Sequence, residues 1–571
     1  MIHYKSWSAN KRSIFVYDWK NNKIYFCPKI EITRRFRDVS TKAFFLEASF
    51  LLDNTVENVI FNRRLLAEKV IPELVEHGFS IVETEISEHT LSEIFMEQEN
   101  ALTIEACHSK IGYQPVNGEL LYFGEYEISG KVATKYVGSQ VLSHNGAFCE
   151  WRAFVEEVFR ENPLLALPIA MGITAPIATR LKNAGLTDET ALWALIGATS
   201  TGKTTSLKLS ASVWGKPSGD GIIDNLTGTE KYFFASLADR EGFPNYFDET
   251  SAVTWDFTKA IYTVALSREG GRCNTDGTPK KRKTWSGAVV FTGETSMFHR
   301  TNGNGGLYAR LVEFDFSWFA DGTLADKISR FVSQNYGTAW MQYICFLQSI
   351  DDALLTSSYD EKIIEIKKNI ALSLGYDEDN WETKKFTGVQ NRIVKKLALL
   401  LLALDTMLTA WDISADRAKI VEYIKLAYEH NASRVDKIAA FKESFIQHIA
   451  AYRNAFPEVN HTGFDSSAKS SARGFQDKLK GRSCIWVLAE EFEEQLLKHG
   501  LDASPSTLKE LHRRGIIEHF KDRYRKVYKT GNISPSCYCF YPQNYGVLPT
   551  KTKTKNKNKK SKQLKSLLDE N

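Results

Sequence analysis

Short apolar runs bounded by polar residues and turn formers punctuate the first 145 residues, as in SIFVYDW (13–19), NKIYFCP (22–28) and ELLYFGEYEI (119–128). Their length and their content of aromatic and β-branched residues predict strands. One segment there, NVIFNRRLLAEKVIPELVEHG (58–78), has a helical period and ends at Gly78, a residue suited to a helix terminus. Residues 1–145 are therefore expected to form a mixed α+β unit. From Trp151 to Leu181 the pattern is helical, a collar within 146–185, and it runs into the apolar strand of ETALWALIGATS (189–200). Strands and helices then alternate over 186–340, which predicts a mostly parallel sheet covered by helices. Residues 341–460 read as helical throughout, with IVKKLALLLLALDTMLTAW (393–411) the most apolar helix. Serine and glycine thicken over TGFDSSAKSSARG (462–474), which reads as a linker or exposed loop. In the last folded unit, 461–548, VLAEEFEEQLLKHG, SPSTLKELHRRGII, YRKVYKT and CYCFYP follow in helix, helix, hairpin order. Residues 549–571 read as a disordered tail. No repeat of 20–50 residues is evident.

With 571 residues the chain exceeds one ordinary core and suggests several units. Its longest uncharged apolar stretch, Pro163 to Thr179, is interrupted by Pro168 and Pro176 and falls short of a spanning helix, so no membrane segment is expected. The start, MIHYKSWSANKRS, lacks the apolar core of a secretory signal, and a cytoplasmic location is expected. Cys27, Cys107, Cys149, Cys273, Cys345, Cys484, Cys537 and Cys539 lack paired metal spacing. Buried free thiols are the expectation, with zinc the alternative at Cys537 and Cys539, which face the same way on a predicted strand. The net charge of +4 conceals an asymmetry: residues 551–571 hold eight lysines against Asp569 and Glu570, leaving a net −2 on the rest. Such a run is a solvated end that can also add nonspecific attraction to polyanions.

Chemistry concentrates where the strand of 189–196 meets Gly197, Ala198, Thr199, Ser200, Thr201, Gly202, Lys203 and Thr204. This octet fits G-x-x-x-x-G-K-[ST] between a strand and a helix that begins with Thr204 and Thr205. Glycines let the backbone curl so that successive amides point inward, the helix N-terminus adds its dipole, and Lys203 reaches the β- and γ-phosphates. Thr204 would offer its hydroxyl to Mg²⁺. FPNYFDET (243–250) supplies a second carboxylate at a strand end: Asp248 to order Mg²⁺, and Glu249 to polarise the attacking water. AVVFTGETS (288–296) is another buried strand, ending in Thr292 and Glu294, where a polar group can sense the γ-phosphate. In GGLYARLVEFDF, Arg310 lies between the Gly305-Gly306 turn and a strand, suited to charge stabilisation in cis or across a subunit boundary.

These runs, GATSTGKTTSLKLSASVWGKP, FDE, WSGAVVFTGE and YARLVEF in that order, resemble the ATPase core catalogued as domain of unknown function nine-hundred-twenty-seven. That family occurs in phages, mobile elements and the Cch-type helicases of cassette chromosomes, and its relatives are MCM-like and superfamily-three helicases of the AAA+ class. The resemblance extends through CHSKIGYQPVNGELLYF, ENPLLALPIAMGITAPIATRL, GVQNRIVKKLALLLLALDTM and WVLAEEFEEQLLKHGLDASPSTLKELHRRGII. It implies an α/β P-loop NTPase of AAA+ type with an N-terminal α+β domain, a helical lid and a C-terminal winged-helix-like domain. It further implies ATP and Mg²⁺, a homohexameric ring, and ATPase sites between subunits. On this resemblance Lys203 and Thr204 take the Walker A roles, Asp248 and Glu249 the Walker B roles, Thr292 the first sensor, Arg310 the arginine finger and Arg392 a second sensor. The chain departs from the family between the glycine loop and FDET, where DGIIDNLTGTEKYFF replaces a tryptophan-centred motif.

Between Glu249 and Thr292 lies REGGRCNTDGTPKKRKTW (268–285), where Asp276-Gly277 is a hairpin signal and Lys280, Lys281, Arg282 and Lys283 crowd one arm. In a ring such a hairpin would project into the channel and track a phosphate backbone without reading sequence. Lys509, His512, Arg513 and Arg514 of the SPSTLKELHRRGII helix are candidate phosphate contacts. Three functions fit: a DNA translocase that unwinds single-stranded or forked DNA of a phage or mobile element alongside replication or initiator proteins; a nucleic-acid-stimulated ATPase acting as a loader or defence switch; and a protein-remodelling machine, disfavoured by the basic hairpin. His3, His108 and His144 are unclustered, and the first 145 residues are expected to serve as an interaction or DNA-collar module.

Overall fold

The computed structural model describes residues 6–542 except 141, 239, 251, 252, 254, 256, 276, 281, 302–305, 436, 460–471, 500, 522 and 530–533. His3, Asp276, Lys281, Gly305, most of the 462–474 segment and the lysine tail therefore lie outside the described residues. The chain divides into two compact units, 1–435 and 436–571.

The first unit begins with an antiparallel three-stranded sheet, β1 (Ser6–Ala9), β2 (Ser13–Tyr17) and β3 (Lys23–Pro28). β4 (Ile30–Asp38), β5 (Phe44–Leu52) and β6 (Thr55–Asn62) then form an antiparallel meander. Helices α1 (Ile71–Glu76) and α2 (Glu85–Glu99) precede β7 (Ile104–His108), which pairs parallel with β4. The helix expected over 58–78 is thus mostly something else. Residues 58–62 alternate, burying Val59 and Phe61, and pair with β5, so cross-strand burial overrides the helical spacing. A 3-10 turn over Arg63–Ala67 and the short α1 stay helical, and the free amides of Val70 and Ile71 at the start of α1 are met by the buried Glu88 carboxylate at 2.9 and 3.0 Å. β8 (Ile111–Val116) and β9 (Glu119–Phe123) form a hairpin, and β10 (Lys135–Tyr136) adds to β7.

α3 (Phe148–Glu161) and α4 (Ala166–Asn183) follow. Pro168 and Pro176 do not interrupt α4. Pro168 sits in its first turn, where an amide has no helical partner, and Pro176 is held inside a helix packed on all sides. Residues 163–183 are long and apolar enough to cross a membrane, at mean hydropathy 1.6, yet their apolar window is wholly buried within the fold. α4 is the central core helix of the unit.

The third part holds β11 (Ala191–Ile196), α5 (Lys203–Ala211), β12 (Ile223–Asn225), α6 (Glu230–Leu237), β13 (Arg240–Glu241), β14 (Asn245–Asp248), α7 (Phe257–Ala265), β15 (Ala288–Gly293) and β16 (Leu311–Asp315). Five of these strands make one all-parallel sheet in the order β12-β14-β15-β11-β16. β11 and β15 are buried at every position, as a strand covered on both faces must be. α8 (Gly322–Val332), α9 (Trp340–Gln348), α10 (Asp352–Ser373), α11 (Gly388–Trp411) and α12 (Arg417–Val435) complete the unit. α11 starts at a capping box of Thr387 and Gln390, and its leucines join α4, β11 and the β8–β9 hairpin in one core. The boundary expected at 145 is therefore not a break in packing: β13 pairs with β8 across it.

The second unit contains α13 (Lys437–Ala451), β17 (Gly474–Leu479), β18 (Arg482–Leu488), α14 (Ala489–Lys498), α15 (Pro505–Arg513), β19 (Arg525–Val527) and β20 (Ser536–Phe540). Its sheet is antiparallel, in the order β17-β18-β20-β19. α13, expected in the preceding helical region, belongs here because Phe441 and Phe445 share a core with Phe492, Leu496, Tyr538 and Phe540. Cys537 and Cys539 are free and buried on β20.

Candidate functional site

Residues 197–204 leave the carboxyl end of β11 and enter α5, between the ends of β15 and β16. The backbone turns through positive φ at Gly197 (147°), Ser200 (63°) and Gly202 (88°), the tight curl that a phosphate-cradling loop needs. At Gly202 the close approach is literal: a Cβ there would lie 2.0 Å from Phe319 Cδ2. Lys203 is buried, and its ammonium donates to the carbonyls of Gly197 and Ala198 at 2.9 and 2.7 Å, inside the curl. Thr201 Oγ1 closes the loop onto the Ala198 carbonyl at 2.9 Å, and Thr199 Oγ1 donates to Glu294 at 2.7 Å. Thr205 faces α8, its hydroxyl 3.5 Å from that of Ser329.

The neighbouring strand ends converge on this loop. Thr204 Oγ1 donates to Asp248 Oδ1 at 3.1 Å, and Thr292 Oγ1 donates to the same oxygen at 2.5 Å. Glu249, exposed and in the left-handed region (φ 57°), has its amide held by Thr292 Oγ1 at 2.9 Å. Thr250 Oγ1 donates to the Thr292 carbonyl at 2.8 Å and locks β14 to β15. The hydroxyl of Thr204 and the carboxylate of Asp248 form a pair of hard oxygens that fits a magnesium ion accompanying phosphate. Two non-glycine residues at positive φ flank this cluster, a local strain of roughly 1–3 kcal/mol each that only a tightly determined site sustains.

Beside the loop lies a cavity of about 560 Å³, in the range that small-molecule sites occupy. Leu164, Phe316, Phe319, Leu324 and Tyr423 line it, with Phe316 and Tyr423 edge to face at 5.8 Å. The 316–321 segment in its wall is tied to the loop, since Trp318 N donates to the Thr201 carbonyl at 3.1 Å and the side-chain amide of Asn162 holds the Trp318 carbonyl at 2.8 Å. None of these residues carries a sequence signal, because they gather from three separate segments.

Arg310 and Arg392 are not brought to this loop in their own chain. Register fixes Leu192 beside Leu311 and Ile196 beside Asp315, so Arg310 stands at the amino ends of the strands and the loop at their carboxyl ends. There Glu189, missed in the sequence, gathers three cations: Arg392, which donates to Oε1, Lys396 at 3.4 Å and Arg310 at 4.0 Å. Burial raises the affinity of the Glu189 carboxyl for a proton, but the charges of Lys396, Arg392 and Arg310 outweigh that and hold it below its ordinary range. Arg310 also lies over the Tyr262 ring at 4.6 Å and donates to the Gly306 carbonyl at 2.8 Å.

Between α7 and β15 the described residues of 268–284 form a hairpin. Arg268 bridges Thr284, Cys273 bridges Pro279, and Lys280 N donates to the Arg272 carbonyl at 2.8 Å. Lys280, Arg282 and Lys283 are exposed along its second arm. In the second unit the candidate cations of α15 are partly neutralised: Arg513 and Arg514 both pair with Glu510, at 2.6 and 2.7 Å.

Residues 10–284 match the family model described as Domain of unknown function (DUF927). The DUF927 match takes in the N-terminal strands from β2 onward, the 197–204 loop, Asp248 and the hairpin, and stops short of Thr292 and Arg310. Among solved structures the chain is similar to one titled "SCCmec type IV Cch - active helicase". The two are 19% identical, with a TM-score of 0.69 over 95% of this chain and 98% of that one, a likeness of fold. Among curated proteins nothing matches.

Proposed function

We propose that the chain is an ATP-hydrolysing DNA translocase of helicase type that works as a ring, most simply a homohexamer, in the cytoplasm of a cell carrying a phage or mobile element. The observation that carries this reading is the division of the chemistry between the two ends of one parallel sheet. Lys203, Thr204, Asp248 and Glu249 meet at the carboxyl ends, and Arg310 stands with Arg392 and Lys396 at the amino ends. Each chain thus offers one incomplete site and, in Arg310, a cation to complete another. A head-to-tail ring joins the two.

The strand order supports an AAA+ core, and the helix, helix, hairpin order of the second unit supports a winged-helix-like module. In the mechanism Lys203 binds the β- and γ-phosphates and the 197–204 amides cradle them. Thr204 and Asp248 would hold Mg²⁺, which supplies charge neutralisation between the phosphates. Glu249 orients and takes a proton from the attacking water, Thr292 keeps Asp248 and the Glu249 backbone in place, and Arg310 of the neighbouring chain meets the charge on the transferring phosphoryl group. The purine base suits the cavity of Phe316, Phe319 and Tyr423. The exposed cations of the 268–284 hairpin supply nonspecific grip on a DNA backbone.

Displacement of a labelled strand from a forked duplex, with ATP and Mg²⁺, tests the reading. Replacing Lys280 to Lys283 by alanine is expected to abolish DNA-stimulated turnover and displacement while basal turnover persists. Hydrolysis stimulated by DNA with no displacement would instead favour a loader or switch.

A further inference from the structure

The three-stranded sheet β1–β3 has two unlike faces. Ile14 and Cys27 point into the core shared with β4–β6 and α2, and Val16 is buried beside them in the strand pattern. The opposite face carries Phe15, Tyr17, Lys23 and Tyr25, because Phe15 pairs with Tyr25 and Tyr17 with Lys23 across the strands. Phe15 and Tyr25 meet edge to face at 6.2 Å, and the Lys23 ammonium sits 4.1 Å from the Phe15 ring centre. At the β2–β3 turn Trp19 is 68% exposed, and on β3 Tyr25 is 58% exposed. A face that needed only to be solvated would not display large rings in a row.

That turn is built, not loose. The Asp18 carboxylate accepts from the amides of Lys20 and Asn22 and from the Asn22 side chain, at 2.8, 2.8 and 2.9 Å, so Trp19 is presented on a fixed loop. Charge surrounds the rings asymmetrically. Lys20 and Lys23 lie at one end of the sheet and Lys11 and Arg12 at the other, all exposed. The acids nearby are engaged, Asp18 in the turn and Glu31 with Lys29 at 2.8 Å. Aromatic faces flanked by cations, on a sheet about 17 Å long by strand rise, match a stacked run of two or three unpaired bases and their phosphates.

The geometry points to the outer face of β1–β3 as a second nucleic-acid site, a stacking platform for single-stranded DNA built on the exposed rings of Trp19 and Tyr25, backed by Phe15 and Tyr17, with Lys20 and Lys23. It is separate from the hairpin and gives the N-terminal region a role in holding a strand. It does not depend on ATP hydrolysis.

The test uses the full chain and fluorescein-labelled twenty-residue oligothymidine, with binding followed by anisotropy over a salt series. The double substitution Trp19→Ala/Tyr25→Ala is expected to weaken binding about tenfold with the salt slope unchanged. Lys20→Gln/Lys23→Gln is expected to lower that slope by roughly 1.4, about 0.7 for each lost phosphate contact. Independently of any variant, bromodeoxyuridine-substituted oligonucleotide irradiated on the wild-type chain is expected to crosslink within residues 13–25. Wild-type affinity in the aromatic variant together with no crosslink there overturns the proposal. So does a change in assembly size without a change in DNA affinity, which would make the face a contact between chains. If the hairpin variant binds DNA normally and the aromatic variant does not, the platform stands and the translocase reading falls.

Discussion

Replacing Arg310 by alanine isolates the claim that active sites are shared between chains. Arg310 precedes β16, and the 197–204 loop packs against the other end of that strand, near Asp315 and the Phe316 carbonyl. Five strand residues put about 17 Å between these ends, more than an arginine side chain spans. In its own chain the guanidinium therefore has no route to a phosphate at Lys203. If it acts across a boundary, Arg310→Ala is expected to lower kcat about a thousandfold, as loss of such an arginine does elsewhere. Lys203→Ala is expected to be equally inactive. Mixed in equal amounts with random assembly, the two variants place an intact Lys203 opposite an intact Arg310 at about one site in four, so the mixture should recover up to about a quarter of wild-type turnover. The assay is steady-state phosphate release at fixed total protein, with light scattering to establish that the variants co-assemble. Co-assembled mixtures no more active than their parts, or an Arg310→Ala chain with normal kcat, would refute the argument from strand register.

Other outcomes follow from single contacts. Thr292→Val keeps the shape of the buried side chain but removes the hydroxyl that donates to Asp248 and accepts from the Glu249 amide. Losing one hydrogen bond to a charged group, about 1.5–3 kcal/mol, predicts kcat down roughly tenfold to a hundredfold, and unchanged turnover would remove Thr292 from the site. Tyr423→Ala is expected to raise KM for ATP about tenfold while inhibition by tripolyphosphate stays constant; equal weakening of both would mean the cavity does not hold the base. His108 is buried, its Nε2–H facing the Gly124 carbonyl and its Nδ1 accepting from Thr134, and burial holds its pKa below the ordinary value. Below about pH 6.5 the unfolded chain takes up a proton that the folded chain refuses, so stability should fall by up to about 1.4 kcal/mol per pH unit as pH drops. Urea midpoints of wild type and His108→Asn between pH 7.5 and 5.5 check this, and equal slopes would exclude the residue.

The sequence alone determined what lies within one turn or one strand. The 197–204 loop is legible because eight consecutive residues build it, and β11 and β15 are legible because strands covered on both faces are almost continuously apolar. The boundaries of α1 and β6 were not, since a period read over 58–78 cannot weigh pairing with β5. Nor were the prolines of α4, whose helix survives because the surrounding core holds it.

Only the tertiary structure decided which residues meet. Glu189 and Arg392 are 203 residues apart and have no local signature, yet they set the charge at the amino ends of the sheet. The aromatic cavity draws on segments near 164, 316–324 and 423. Arg310 was named from its motif, but its separation from Lys203 came from parallel register. The physical reason is the same in each case: backbone periodicity is a local property, while a binding site is a set of distances fixed only once distant strands and helices have packed.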